Sequence, residues 1–330
     1  MPKNNMIAAF AVAMAAWFLA SPVHAQDAVK VGVTRLNTAG PAFIGKEKGF
    51  FKKHGIDLEV KIFGAAADIP VAVTSGDLEF GATGLTAAFY NLAGKGGLKI
   101  IGGQTREEKN YNLTAVMATN KGAENGFKTI KDMAGKRIGI TTAGSTFHYM
   151  IGLLGEKFGF DAASVVLFPL QTTSNMSATF IGQQVDGILS PQTNVQPMLD
   201  AKAGTVLGWV GDEVSWQVGA VFTSPDLIAK KKDLAARFML AWTESVAAYN
   251  TAFNQLDANK KAIEGPGYAE LLDIVAKGLA LPPQQIKSFP LVSAKLDAKD
   301  VERQLKFWQT SNLVAKTVTP EMVMDASFTK

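Results

Sequence analysis

The sequence is 330 residues long, carries a formal net charge of +4, and contains no cysteine and three histidines. A chain without cysteine has no disulfide framework, thiolate metal site, iron–sulfur cluster, cysteine nucleophile or lipid-modified cysteine anchor. Its lysines and arginines form no basic block interleaved with aromatics, which sets nucleic acid aside as a partner, while the mild positive balance is compatible with an anionic small molecule.

Lys3 is the only charge before an almost wholly apolar run over 6–20, which Ser21-Pro22-Val23-His24-Ala25 breaks. Such a run is short for a bilayer-spanning helix, and Val23 and Ala25 fit signal-peptidase cleavage before Gln26. Residues 1–25 therefore read as a signal peptide, the alternative being a retained membrane anchor. With no cysteine to lipidate, the mature chain is expected free in the periplasm. Its roughly 305 residues exceed one typical core, so two domains are expected.

From Val29 the chain alternates β and α signals, the pattern of a parallel sheet flanked by helices. Strands are predicted at 29–33, 56–63, 80–82 and 99–102, with helices over 41–54, 67–74 and 86–93 between them. A second series begins near Leu113, with strands at 113–118, 136–140, 165–170, 187–189 and 206–209 and helices over 146–158, 175–182 and 194–203. A return strand at 218–223 precedes helices over 234–254, 268–279 and 298–311, and no strand is expected after Thr223. The second series thus sits inside the first. It predicts lobe one from 26–110, lobe two from 111–212, and a return strand with C-terminal helices from 213–330, joined by two crossovers.

Open parallel sheets bind ligands at the carboxyl ends of their strands, so the loops there are the candidate site. Arg35, Asn37 and Thr38 follow the first strand. Arg35 can clamp a carboxylate or sulfonate in a bidentate pair, or it can be a solvated loop residue. Thr83, Gly84 and Thr86 offer hydroxyls and backbone donors before a helix, where they can also act as caps. Thr142, Gly144, Ser145 and Thr146 form a glycine-containing loop opening a helix, a geometry that presents free N–H groups and the positive dipole end to an anion. It is no phosphate-binding P-loop, because Gly135-Lys136 precedes the strand and arginine follows the lysine. Ser174 with Asn175, and Ser190, repeat the arrangement after later strands. Phe147, His148 and Trp216 are the aromatic candidates for a ligand wall, each equally readable as packing. Three histidines, one inside the signal peptide, draw neither a metal cluster nor a serine–histidine–acid set, so no catalytic residue, metal or cofactor is expected.

Four stretches taken together are distinctive: Gly40-Pro41-Ala42-Phe43-Ile44-Gly45-Lys46-Glu47-Lys48-Gly49-Phe50-Phe51, Ser75-Gly76-Asp77 through Gly84, Gly135-Lys136-Arg137-Ile138-Gly139 with Gly144-Ser145-Thr146, and Gly182-Gln183-Gln184-Val185-Asp186-Gly187. On these the chain resembles the periplasmic substrate-binding proteins of ABC importers for nitrate, sulfonates, taurine and thiamine precursors. The resemblance implies an α/β, two-lobed periplasmic-binding-protein fold of type II, each lobe a mostly parallel sheet flanked by helices, with a C-terminal helical layer. It implies a monomeric, non-enzymatic receptor whose cleft closes on a small-molecule ligand and whose closed form docks on an inner-membrane permease. A small organic anion, a carboxylate or sulfonate with or without an aromatic ring, is the expected solute. The alternatives are a receptor for a neutral heterocycle such as a thiamine precursor, a receptor serving a sensor kinase or secondary transporter, and a related pyrimidine-precursor synthase that uses its own histidine.

Overall fold

The computed structural model describes residues 26–286 and 289–328, so the expected signal peptide lies outside the described residues. The chain runs through β1 (Asp27–Thr34), α1 (Gly40–Glu47), β2 (Ile56–Phe63), α2 (Asp68–Ser75), β3 (Phe80–Gly84), α3 (Ala87–Gly94) and β4 (Lys99–Glu107). It crosses to β5 (Thr114–Thr119), β6 (Arg137–Ile140), α4 (Thr146–Phe158), β7 (Val166–Pro169), α5 (Thr173–Ile181), β8 (Gly187–Pro191), α6 (Gln192–Asp200) and β9 (Gly204–Trp209). It returns through β10 (Trp216–Thr223) to α7 (Lys232–Phe253), β11 (Gln255–Leu256), β12 (Ala262–Ile263), α8 (Tyr268–Leu279), β13 (Leu291–Val292) and α9 (Ala298–Thr310).

Two mixed sheets form the two lobes, one in the order β13-β4-β10-β3-β1-β2 and the other β7-β6-β8-β5-β9. β1 pairs in parallel with β2 and β3, and β6 in parallel with β7 and β8. β10 runs against β3 and β4, and β5 runs against β8 and β9. The connectivity forces these reversals. β4 leaves its sheet at the carboxyl end and β10 comes back from the other lobe at that same end, so the two must be antiparallel; the same holds for β5 beside β9. In consequence the carboxyl ends of the parallel strands in both lobes face the gap between them, which is where ligands bind to open sheets.

Central strands buried on both faces read as continuous apolar runs, not as alternating patterns. β10 is buried at all eight positions and β5 at all six. α7 covers one face of lobe one, where Phe238 stacks on Phe80 at 3.9 Å between ring centroids. α9 does not stay on that lobe. Its Arg303 pairs with Glu156 of α4 at 2.7 Å, Phe307 and Trp308 meet Tyr149 at 5.0 and 5.9 Å, and Gln304 Nε2 donates to the Gln217 carbonyl of β10 at 2.6 Å.

Two sequence expectations change. The helix expected over 41–54 is divided at Gly49, whose φ of 76° takes the left-handed region that glycine tolerates, and resumes only as the short turn Phe50–Lys53. Strands also follow Thr223: β13 pairs antiparallel with Thr105 and Arg106 at the edge of lobe one, and β11 pairs with β12. Two-residue pairings leave no hydrophobic period in the sequence.

Candidate functional site: an interlobe cavity

A cavity of about 180 Å³ lies between the lobes. Lobe one contributes the loop after β1 (Arg35, Leu36, Thr38), the small-residue turn 64–67 after β2, and Thr83 and Gly84 at the end of β3. Lobe two contributes Thr141, Ser145, Thr146, Phe147 and Met150 around the start of α4, Thr172, Thr173 and Ser174 around the start of α5, and Pro191 after β8. Leu113, Thr114 and Val218 close it where the chain crosses between lobes. A cavity of about 150 Å³ holds a benzene ring. The space here therefore fits one substituted six-membered ring or an alkyl chain of similar bulk.

The polar groups in the wall differ in how far the protein itself satisfies them. Thr172 caps α5, its Oγ1 accepting from Asn175 N at 3.1 Å. Ser145 occupies the equivalent N-cap of α4 without making a side-chain cap, and its buried Oγ has no hydrogen-bond partner within the protein. Thr83 Oγ1, in the lobe-one part of the wall, is likewise buried without a partner. A buried hydroxyl left unpaired costs roughly 1–3 kcal/mol, so each favours any partner, water or solute, that reaches it. Gln104 has the opposite status at its nitrogen: Nε2 donates to the Ala82 and Thr38 carbonyls at 3.1 and 3.3 Å, which fixes the amide. Its Oε1 packs into the space that a side chain at Gly219 would need.

Arg35 sits at the rim and is exposed. Its Nη1 donates to the Leu279 carbonyl at 3.0 Å, at the last residue of α8. A helix carboxyl end carries free carbonyls and negative dipole charge, so the guanidinium is drawn to that end and is not the internal clamp the sequence suggested.

Other sequence candidates do not line the cavity. Asn37 is buried in the turn before α1. Thr86 caps α3, accepting from Phe89 N at 3.3 Å. Thr142 and Gly144 shape the turn that aims Ser145, with Ser145 N donating to the Thr142 carbonyl at 3.1 Å. His148 Nδ1 accepts from Gly144 N at 3.2 Å and its ring packs on Phe307 and Trp308, burial holding its pKa below the ordinary value. Asn175 Nδ2 donates to the Leu170 carbonyl at 2.9 Å, and Ser190 Oγ to the Pro191 carbonyl at 3.1 Å. Trp216 is fully buried edge-on to Tyr149 at 5.1 Å, so it is no stacking wall for the cleft. The cavity instead takes its aromatic surface from Phe147.

Sequence reasoning missed Gln104, Thr105, Leu113, Thr114, Met150 and the turn 64–67. A glutamine and threonine embedded in an apolar strand, and the run Gly64-Ala65-Ala66-Ala67 directly after one, were the available signals.

The fold and its interlobe cavity define a two-lobed periplasmic-binding-protein architecture. The chain belongs to the NMT1/THI5-like family, whose model matches residues 37–253. It is similar in structure to the alkanesulfonate-binding protein SsuA of Xanthomonas axonopodis pv. citri bound to MOPS, with a TM-score of 0.71 and 15% identity over 92% of this chain and 100% of that one. The nitrate-binding protein NrtA of Synechocystis PCC 6803 gives a TM-score of 0.71 and 13% identity, covering 92% of this chain and 87% of its own. The desulfurization enzyme DSZB shares the fold at a TM-score of 0.58 and 14% identity over 92% of this chain and 97% of that one. A protein of Brucella abortus (strain 2308), named as a candidate binding protein, is 27% identical over 143 residues, 43% of this chain. The match spans about two fifths of that relative's length (41%).

Proposed function

We propose that this protein is the periplasmic solute receptor of an ABC importer, capturing one small organic anion, a carboxylate or sulfonate with a ring-sized apolar body, and delivering it unchanged to a membrane permease. The observation that carries this reading is the interlobe cavity itself, with an unpartnered hydroxyl from each lobe, Thr83 and Ser145, in its wall. An oxygen-rich head group fits the starts of α4 and α5, where helix dipoles and free amides favour negative charge. Leu36, Leu113, Phe147 and Met150 suit an apolar body. The lining residues include no histidine or carboxylate, so none of them offers the usual side chain for general acid–base chemistry. His54 is not among the cavity-lining residues and pairs with Glu244 at 2.9 Å.

A second reading, a neutral heterocycle, draws support from Arg35 being occupied by the α8 carboxyl end. Thermal shift on protein unfolded and refolded to strip copurified solute separates the two, using ring carboxylates and sulfonates paired with their uncharged amides. A ligand at 100 times its Kd stabilises by about 2.7 kcal/mol. The anion reading expects the charged member of a pair to give the larger shift. A larger shift from the amides transfers the assignment to the neutral class, and no shift from any member contradicts the receptor reading.

A further inference from the structure

The two lobes touch at two glycines of the cavity wall, Gly64 and Gly84, and at one pair outside it, Ala87 and Gly144. The Ala87 amide, at the first residue of α3 in lobe one, donates to the Gly144 carbonyl of lobe two at 2.9 Å. Gly144 has a φ of +80°, and a Cβ added there would stand 2.9 Å from the Ala87 Cβ. A Cβ at Gly84 would stand 2.7 Å from Thr146 Cγ2, and one at Gly64 3.2 Å from Thr172 Cγ2. Each of these pairs joins one lobe to the other. Neither Ala87 nor Gly144 lines the cavity.

We propose, resting on the receptor reading above, that the lobes close on a latch independent of solute, in which the Ala87 amide donates to the Gly144 carbonyl and the missing side chain at Gly144 lets the start of α3 seat against it. Opening the cleft breaks this bond and returns both groups to water. The latch therefore adds to the closed population before any ligand binds. Apparent affinity scales with the fraction of competent protein, so the latch tunes affinity for every ligand by the same factor. Gly144 acts as a positioning residue for closure and not as a ligand contact.

The residues supply their own controls. Ala87→Pro removes the donor at the first helical position, where proline is well tolerated, and Thr86 before it already has φ −114° and ψ 163°, the extended conformation that a residue preceding proline needs. Gly144→Ala adds the Cβ that meets Ala87. Ala87→Gly in the Gly144→Ala background takes the opposing Cβ away. Gly159→Ala imposes the same backbone strain, at φ +76°, where nothing lies within 4 Å.

The chain has no cysteine, so Val71→Cys on α2 and Ile181→Cys at the end of α5, both exposed apolar positions, take a spin-label pair across the lobes without background. Pulsed-dipolar distances on ligand-free, refolded protein then read the closed fraction directly, with folding checked by circular dichroism. The latch predicts a populated short distance in the parent. It predicts a closed-to-open ratio lowered by roughly two- to tenfold or more in Ala87→Pro, which loses one net hydrogen bond and crowds the proline ring against the Gly144 carbonyl, and lowered also in Gly144→Ala. Ala87→Gly should restore the ratio in the latter, and Gly159→Ala should leave it unchanged. A folded Ala87→Pro with the parent's distances overturns the proposal, as does a parent with no short distance until solute is added. Both results leave the receptor reading intact, since that reading is tested by the ligand panel.

Discussion

Ser145 and Arg35 divide the chemistry of the site in a way that their residue types alone do not announce. The arginine carries the charge, yet its guanidinium is committed to the α8 carboxyl end and exposed to solvent. The serine is neutral, yet its hydroxyl is buried at a helix start with no partner. Ser145→Ala should therefore weaken binding by about 0.5–1.5 kcal/mol, or roughly two- to tenfold, while the backbone amides continue to hold the head group. Arg35→Ala should cost less than Ser145→Ala, because exposed charges are screened and an intramolecular partner already holds the guanidinium. Calorimetry on the two variants with the best ligand of the panel gives the ranking, and a larger loss for Arg35→Ala would restore that residue as the clamp. The legibility of the site follows the same division. Loops after strands were readable because topology puts them at the cleft, which placed Thr38, Thr83, Ser145, Thr146 and Ser174 at the cavity. Side-chain direction was not readable, so Trp216 and His148, in the right segments, turned out to pack against Tyr149 and Trp308 instead of lining the cavity.

Strands and helices at the hinge carry a second measurable property. Glu107 ends β4 where the chain leaves lobe one, is fully buried, and has neither carboxyl oxygen in a well-formed hydrogen bond. Burial pushes its pKa up to about 8, with Thr114 and the Gly211 amide pulling it down and Asp212 pushing it further up. Asp300 of α9, bonded to Gln217 N at 2.6 Å, is also raised by burial. The folded state thus holds the Glu107 proton from its ordinary value of 4.5 up to about 8, while the unfolded chain has released it. Stability is fully present below that ordinary value and falls as pH rises through this window, levelling above it. Denaturant midpoints between pH 5 and 9 should decline in the parent and decline less in Glu107→Gln, which keeps the shape but has no proton to lose. Parallel profiles would mean that Glu107 is solvated. None of this was visible in the sequence, where the strand expected over 99–102 stopped short of the Glu107 that ends β4. The longer elements were legible because their apolar period and caps agree, as in α4 over 146–158 and α8 over 268–279.

For the whole molecule, both crossovers and α9 link the lobes, so hinge opening is expected on the side away from these links. Small-angle scattering on refolded protein should show a smaller radius of gyration with bound solute than without, and an unchanged radius would count against hinge closure. Two lobes were foreseeable because a β/α series restarted inside another. That α9 would bridge them was not, since its apolar face over 298–310 gives no sign of which lobe it meets. Capture without chemistry is tested by equilibrium dialysis of the refolded chain against the best ligand of the panel, followed by denaturation and mass spectrometry of what is released. One solute per chain is expected, recovered chemically unchanged after hours of incubation. An altered solute, or less than one retained at saturation, would contradict it.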